Sequence, residues 1–233
     1  MSGHSKWATT KRQKAVVDAK RGAAFTKIGN LIAIAARKGA DPASNPALAM
    51  AIDKAKEINM PKANIERAIA RVADKSAAVI EEITYEVYGQ GGAGIIVEVA
   101  TDNRNRTFPE LKSTITKHGG RLAEPGSVLF QFDQKGVIEA SPNNEDNFLL
   151  ALDTGATDVQ EEDDVLMVYT EPKDLILVRD KLLEAGLKIL SAEISYVPKV
   201  ELELSEVDSE KVLKLLDVID DLDDVINVHT NVK

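Results

Sequence analysis

The sequence contains no cysteine, which excludes disulfide bonds, thiolate metal sites and a cysteine nucleophile. It also lacks any run of about 18 apolar residues, the length that a membrane-spanning helix requires. The opening residues, MSGHSKW, contain no apolar core of a secretory signal. These absences favour a protein of the reducing cytoplasm that has no membrane partner.

Residues in a catalytic or metal-binding pattern are missing as well. His4, His118 and His229 are far apart in the sequence and have no carboxylates at ligand spacing. No G-x-S-x-G motif is present, and the acidic runs at 161–164 and 220–224 lack the spacing of a calcium loop. We therefore predict a protein that is not an enzyme and uses no metal, cofactor or small-molecule substrate.

The segment GQGGAG at 89–94 matches the G-x-G-x-x-G pattern of dinucleotide-binding loops. Such a loop must open a helix, whose N-terminus holds the pyrophosphate. Here the β-branched segment IIVEV at 95–99 follows instead. We interpret the glycines as a turn that joins two strands.

Positive charge is concentrated in the N-terminal third of the chain. Residues 1–75 contain 15 Lys and Arg against 6 Asp and Glu, a net charge of +9. Residues 76–233 contain 14 against 32, a net charge of −18. This asymmetry indicates that the N-terminal part contacts a polyanion, while the remainder repels one.

The residues that precede the first amphipathic helix are typical of a basic arm. Their cations are scattered around the helical wheel, so the segment has no apolar stripe to bury against its own domain. Trp7 lies among them and can stack on bases. We favour an arm that orders on a phosphate backbone over a frayed terminus. Its predicted nucleic-acid contacts, with those of the helix that follows, are Lys6, Trp7, Lys11, Arg12, Lys14, Lys20, Arg21 and Lys27.

A second cationic segment, DNRNRT at 102–107, leaves a predicted strand and enters a helix predicted to begin at Thr107, with Thr107 in its capping box. Exposed N–H groups at a helix start attract phosphate, so Arg104 and Arg106 are predicted nucleic-acid contacts. The alternative is that both arginines pair with local carboxylates such as Glu98 or Glu110. The sequence leaves these two interpretations open.

Hydrophobic periodicity predicts an α+β fold. Three amphipathic helices form an N-terminal helical domain. Residues 135–197 then follow the βαββαβ order of a ferredoxin-like unit. A second such unit combines the β-α-β segment at 94–132 with a strand, helix and strand at 200–229. The prediction is a helical domain followed by two ferredoxin-like βαββαβ domains, one inserted in the other, with boundaries 1–78, 79–133 plus 198–233, and 134–197.

Short motifs along the chain resemble those of the YebC/PmpR family. They are GHSKW at 3–7, DAKR at 18–21, KGADP at 38–42, NMP at 59–61, NIERAI at 64–69, YEVYG at 85–89, DNRNRT at 102–107 and GG at 119–120. The resemblance implies a three-domain cytoplasmic protein with two ferredoxin-like units. It also implies a transcriptional regulator that binds DNA, although the family includes mitochondrial translational activators, and bacterial members are linked to the ribosome and stalled translation.

Two partners therefore remain open from the sequence. The first prediction is a DNA-binding transcriptional regulator; the alternative is a translation factor that binds the ribosome or structured RNA. A basic arm supplies phosphate contacts, which position a protein without reading sequence, and an acidic remainder repels long duplex DNA. No role follows from the sequence for the acidic cluster Asp220, Asp221, Asp223 and Asp224, which lies where a helix C-terminus disfavours negative charge.

Overall fold

The computed structural model describes residues 21–72 and 78–233. The chain separates into two compact units, one formed by residues 131–201 and the other by the remaining described residues. No helix within the described ranges is long and apolar enough to cross a membrane. The three domain boundaries set out above stay a prediction.

The three predicted N-terminal helices are confirmed as α1 (Arg21–Ala36), α2 (Pro46–Glu57) and α3 (Lys62–Ala70). Their apolar stripes meet in a core that includes the fully buried Ile32 and Leu48. Stripes at three- and four-residue spacing bury one another in this way because they lie on one face of each helix.

Asn45 joins the end of α1 to the start of α2. Its side-chain oxygen accepts a hydrogen bond from the backbone N–H of Leu48 at 3.2 Å, as an N-cap does. Its amide nitrogen donates to the carbonyls of Ala35 at 2.8 Å and Gly39 at 2.7 Å. One buried side chain therefore satisfies backbone groups at two helix ends.

The elements that follow alternate between strands and helices. In chain order they are β1 (Glu81–Tyr88), β2 (Gly94–Thr101), α4 (Arg104–Lys117), β3 (Arg121–Leu122), β4 (Phe132–Ser141), α5 (Glu145–Asp153), β5 (Asp158–Glu162), β6 (Val165–Thr170), α6 (Leu175–Glu184), β7 (Lys188–Pro198), α7 (Glu206–Asp220) and β8 (Val225–Thr230). Two four-stranded antiparallel sheets result, with strand orders β3-β1-β2-β8 and β5-β6-β4-β7.

The predicted turn at the glycine-rich segment is confirmed. Strands β1 and β2 pair in register up to Tyr88 and Gly94, so the segment is a hairpin connection. Gly91 has a φ of 65°, and a Cβ there would lie 2.5 Å from a methyl carbon of Leu204. The left-handed backbone conformation therefore favours glycine, and any side chain there would also have to displace the methyl group of Leu204.

The second sheet confirms the predicted βαββαβ order over 135–197. Its strand order places β4 and β6 in the centre and β5 and β7 at the edges. Within this unit, Ile138, Leu166 and Val168 are fully buried. The α+β fold class is likewise confirmed, with a helical N-terminal region followed by two four-stranded sheets.

Two predicted strands of the first sheet are wrong. Residues 200–204 form only an isolated bridge between Leu202 and Val232, and the segment 127–132 is mostly a short 3-10 helix at Leu129–Gln131. The sheet position between β2 and β3 belongs to β1, which hydrogen-bonds to both. Periodicity identified β1 as a strand but contained no information about which strands it pairs with.

Glu86 of β1 anchors the loop that crosses from the first sheet towards β4. The residue is 7% exposed, and its carboxylate accepts hydrogen bonds from the backbone N–H groups of Gly126, Val128 (2.6 Å) and Leu129 (2.7 Å). Burial acts to raise the pKa of Glu86, but these three N–H donors outweigh it and hold the pKa below its ordinary value. The ionised carboxylate therefore stabilises this loop.

Replacing Glu86 with Gln is expected to lower the free energy of unfolding at pH 7 by about 1–3 kcal/mol, because charge-assisted hydrogen bonds to buried N–H groups are lost. Chemical denaturation measures this difference. Since the folded-state pKa is lowered, the stabilisation is present above the ordinary carboxyl pKa of about 4.3 and is lost as pH falls through the lower value.

Glu82→Gln is the matched control, because Glu82 lies exposed on the same strand. A loss of stability equal in the two variants, or a Glu86→Gln effect that persists unchanged at low pH, would contradict this role for the Glu86 carboxylate.

Candidate nucleic-acid interface

The predicted nucleic-acid contacts fall partly outside the described residues. Lys6, Trp7, Lys11, Arg12, Lys14 and Lys20 lie there, and Arg21 begins α1. The structure therefore places the side chains of Lys27, Arg104 and Arg106.

Lys27 on α1 contacts the C-terminus of α7. Its ammonium donates a short hydrogen bond to the backbone carbonyl of Asp220, where the partial negative charge of a helix end stabilises a cation. One turn further, Asn30 donates to the carbonyl of Ala100 at 3.3 Å, and Ala33 packs against Ala100 in a small buried cluster. Lys27 thus helps to dock α1 on the first sheet, and the phosphate contact expected of it stays a prediction.

The helix after the DNRNRT segment begins three residues before the predicted start. Its N-cap is Asn103, whose side chain accepts a hydrogen bond from the N–H of Arg106 at 3.2 Å. The predicted capping box at Thr107 is wrong because that hydroxyl is engaged elsewhere, with Thr101 and Asp224. Arg104 and Arg106 consequently lie within the first turn of α4.

Asp224 is the centre of a buried polar cluster at this helix start. The residue is 8% exposed, and its carboxylate accepts hydrogen bonds from the hydroxyls of Thr101 (3.1 Å) and Thr107. Arg106 donates through Nη2 to both carboxylate oxygens, at 3.1 and 2.9 Å. The nearest carboxylate partner of Arg106 is therefore Asp224, 118 residues away. The local Asp102 is a second partner at 3.5 Å, in place of the expected Glu98 or Glu110.

The protonation states of this cluster follow from its contacts. Burial acts to raise the pKa of Asp224, but hydrogen bonds from Arg106, Thr107 and Thr101 together outweigh burial and lower it. The same hydrogen bond with Asp224 raises the pKa of Arg106. Asp224 is thus a fixed anion that neutralises Arg106, which gives one member of the acidic cluster a structural role.

Asp102 extends the cluster to the end of the helical region. Its Oδ2 lies 3.1 Å from Nη2 of Arg71, the residue that caps the C-terminus of α3, and its Oδ1 lies 3.5 Å from Nη2 of Arg106. A chain of alternating charges therefore runs from Arg71 through Asp102 and Arg106 to Asp224. It ties α3 to the first sheet.

Arg104 differs from Arg106 in its surroundings. It is the first residue of α4 and is exposed, and its side chain makes no hydrogen bond or ion pair with any residue of 21–72 or 78–233. A cation at a helix start that also presents free N–H groups is suited to contact a phosphate. Arg104 therefore matches the predicted phosphate contact, whereas the guanidinium of Arg106 is engaged by Asp224.

The two described histidines are each bonded to another residue of the fold. Nδ1 of His118 lies 2.9 Å from the carbonyl oxygen of Thr114 in the preceding turn. Nε2 of His229 lies 2.9 Å from a carboxylate oxygen of Glu98, which also accepts from Asn227 at 3.0 Å. Within the described ranges, no three His, Asp or Glu side chains are grouped to hold a metal ion.

Comparisons with known proteins connect the whole chain to one group. Residues 5–75 match the profile described as TACO1/YebC protein N-terminal domain, and residues 80–232 match TACO1/YebC second and third domain. A "Probable transcriptional regulatory protein" of Trichlorobacter lovleyi is 50% identical over 235 residues, covering 99% of this chain and 95% of the relative. Another so named, from Frankia casuarinae, is 48% identical over 238 residues, covering 99% and 95%.

A solved structure has the same arrangement of elements. The crystal structure of a conserved hypothetical protein from Aquifex aeolicus superposes with a TM-score of 0.87 and is 40% identical, covering 94% of this chain and 93% of that one.

Substitution of Arg104 and of Arg106, each on its own, is expected to change the free energy of unfolding by different amounts. Arg106→Gln leaves the buried Asp224 carboxylate without its cation, but the guanidinium is about half exposed and solvent screens the pair. The free energy of unfolding should therefore fall by about 1 kcal/mol. Arg104→Gln removes an exposed side chain and should change it by less than about 0.5 kcal/mol. Urea denaturation of both variants measures the difference, and equal losses would contradict the assignment of Arg106 to the folded structure.

Proposed function

The chain belongs to the TACO1/YebC family, and from this premise we propose that it is a cytoplasmic, non-enzymatic regulator of transcription that binds DNA. Relatives that match nearly the full chain are named probable transcriptional regulatory proteins. DNA binding is proposed because positive charge is concentrated in the N-terminal part of the chain and negative charge in the remainder.

The positive charge lies in the N-terminal arm and the helical region, and the helical region shares a compact unit with the acidic first sheet. The helical region, residues 21–72, has 9 Lys and Arg against 4 Asp and Glu, and residues 1–20 have 5 against 1. The compact unit of residues 131–201 has 6 against 16, a net charge of −10. Phosphate attracts the first part and repels the second, so DNA should be held by the N-terminal part of the chain.

The binding mode follows from the residues that carry the positive charge. The arm cations contact phosphates and release condensed counterions, which supplies affinity without sequence discrimination. Trp7 stacks on a base or wedges between bases. Arg104 adds a phosphate contact from the start of α4, where its guanidinium has no carboxylate partner among the described residues.

A second candidate function is a ribosome-associated translation factor that uses the same arm on RNA. The observation that favours it is the acidic unit, because a net charge of −10 repels long duplex DNA. A ribosome instead offers a pocket for the arm and basic proteins for the acidic unit. The two candidates share the arm contacts and differ in the partner.

The proposal that the protein is not an enzyme is supported by the contacts of four side chains that could transfer protons, because each is engaged within the fold. His118 is bonded to the backbone carbonyl of Thr114, and His229 is bonded to the carboxylate of Glu98. The carboxylate of Asp224 accepts hydrogen bonds from Arg106, and that of Glu86 accepts them from backbone N–H groups. These contacts within the fold account for the lowered pKa values of both residues.

The arm is tested by the triple variant Lys11→Glu, Arg12→Glu, Lys14→Glu. If three phosphate contacts are lost, the slope of log K against log salt on duplex DNA should fall by about 2.7, that is about 0.9 per contact, and affinity at physiological salt by at least about 100-fold. Fluorescence anisotropy across a salt series measures both quantities.

The matched control reverses three exposed lysines of the acidic part, Lys112, Lys117 and Lys214, which changes the net charge by the same amount. It should bind nearly as the unmodified protein does. If the arm variant retains its affinity and slope, or if both variants lose them equally, the arm does not hold the nucleic acid.

A further inference from the structure

A small cleft lies where the ends of α1 and α3 meet the segment that leads into β1. Its volume is about 80 Å³, and it is lined by Ala33, Arg37, Arg71, Val72, Val79 and Ile80, among others. We propose that this cleft binds a backbone phosphate of the nucleic acid, through the guanidinium groups of Arg37 and Arg71. The inference rests on the proposed function and assigns two contacts that lie outside the basic arm.

Arg37 supplies a cation without a neutralising partner in residues 21–72 and 78–233. It is the exposed residue directly after α1, and its side chain makes no hydrogen bond or ion pair with any described residue. Two other cations of the helical region lie beside carboxylates: Lys56 lies 2.8 Å from Asp53, and Lys62 lies 3.6 Å from Glu66. Arg37 therefore adds a positive charge at the cleft.

Arg71 supplies a guanidinium that is already held in place. It bonds to Asp102 through Nη2 at 3.1 Å, and both side chains remain about one-third exposed. A guanidinium has five N–H donors in a planar fork, so this bond orients the group and leaves donors for an oxyanion. A preoriented fork loses less conformational entropy on binding than a flexible side chain does.

The two aspartates that contact Arg71 and Arg106 are balanced by these arginines. Asp102 is shared between Arg71 and Arg106, and Asp224 is bonded to Arg106. The carbonyls in the last turn of α1 are also satisfied, since Ala35 accepts from Lys38 and from Asn45. Arg37 therefore adds positive charge to a chain of side chains that is otherwise neutral, while the exposed Glu81 and Glu82 follow the lining residue Ile80.

The walls of the cleft are partly apolar. Ala33 and Ile80 are buried, and Val72 and Val79 form an exposed apolar rim. The volume is several times the roughly 10–15 Å³ that one water molecule needs, so the cleft has room for an oxyanion. Apolar walls make an ion costly to desolvate, so the two guanidinium groups must supply the binding through charge-assisted arginine–phosphate bonds.

The double variant Arg37→Gln, Arg71→Gln tests the cleft in the full chain. Loss of two phosphate contacts should lower the salt slope on a labelled mixed-sequence DNA duplex by about 1.8 and weaken binding at 0.15 M salt by about 30-fold, the effect of releasing fewer counterions. The matched control Lys56→Gln, Lys62→Gln removes two charges from the same region and should bind like the unmodified protein. Arg37→Gln alone, which leaves the Asp102 contact intact, should cost about fivefold.

The outcomes separate this inference from the proposed function. If the unmodified protein binds and both double variants match it, the cleft makes no phosphate contact and the arm alone remains. If the unmodified protein shows no salt-dependent binding to DNA or to ribosomes, the proposed function fails and the cleft assignment fails with it. A titration with inorganic phosphate at constant ionic strength tests which phosphate the cleft binds. If the arginine side-chain NMR signals shift at lower phosphate concentrations with inorganic phosphate than with DNA, the cleft is a site for a free anion, and its assignment to backbone phosphate is wrong.

Discussion

The carboxylate of Asp224 fixes the arrangement on which the cationic surface depends. It lies just before β8, yet it accepts hydrogen bonds from the end of β2, through Thr101, and from the start of α4, through Thr107 and Arg106. A buried carboxylate that loses such partners is left as an uncompensated charge, which is strongly destabilising. The same cluster continues through Asp102 to Arg71 at the end of α3. The register of the helical region against the first sheet is therefore set by charge as well as by the packing of Ala33 on Ala100.

This constraint assigns different roles to residues of one type. Arg106 neutralises Asp224, while Arg104 on the same helix turn is exposed and available to phosphate. Arg71 is oriented by Asp102, and Arg37 stands beside it without a partner among the described residues. Phosphate contacts position a protein on nucleic acid without reading its sequence, so a surface of this kind explains affinity and placement. Under the proposed function, choice between targets then depends on the shape of the nucleic acid and on repulsion by the acidic unit.

Sequence patterns predicted the local elements well because amphipathic spacing reports which face of a segment is buried. The three N-terminal helices, the inserted sheet and the hairpin at the glycine-rich segment all follow from such spacing. Pairing over long distances does not. Neither the position of β1 between β2 and β3 nor the bond between Arg106 and Asp224 leaves a local pattern, since both join segments that are remote in sequence.

One signal for the Arg106–Asp224 pair was present in the sequence. The acidic cluster stood at a helix C-terminus, where negative charge requires a compensating partner, and Asp224 has one in Arg106. The start of α4 was misplaced because Thr107 and Asn103 both suit a helix cap, and only the fold shows that Thr107 serves Asp224 instead.

We propose that the basic N-terminal part, helped by Arg104 at the start of α4, holds duplex DNA, while the acidic unit of residues 131–201 does not contact it. The most direct measurement is a competition at about 0.15 M salt, a physiological ionic strength, in which labelled full-length protein meets mixed duplex DNA and intact ribosomes at equal phosphate concentration. The account predicts retention on the duplex, concentrated on particular fragments when the DNA is resolved further. Preferential retention on ribosomes, abolished by reversing the arm charges, would contradict it and would identify the protein as a translation factor.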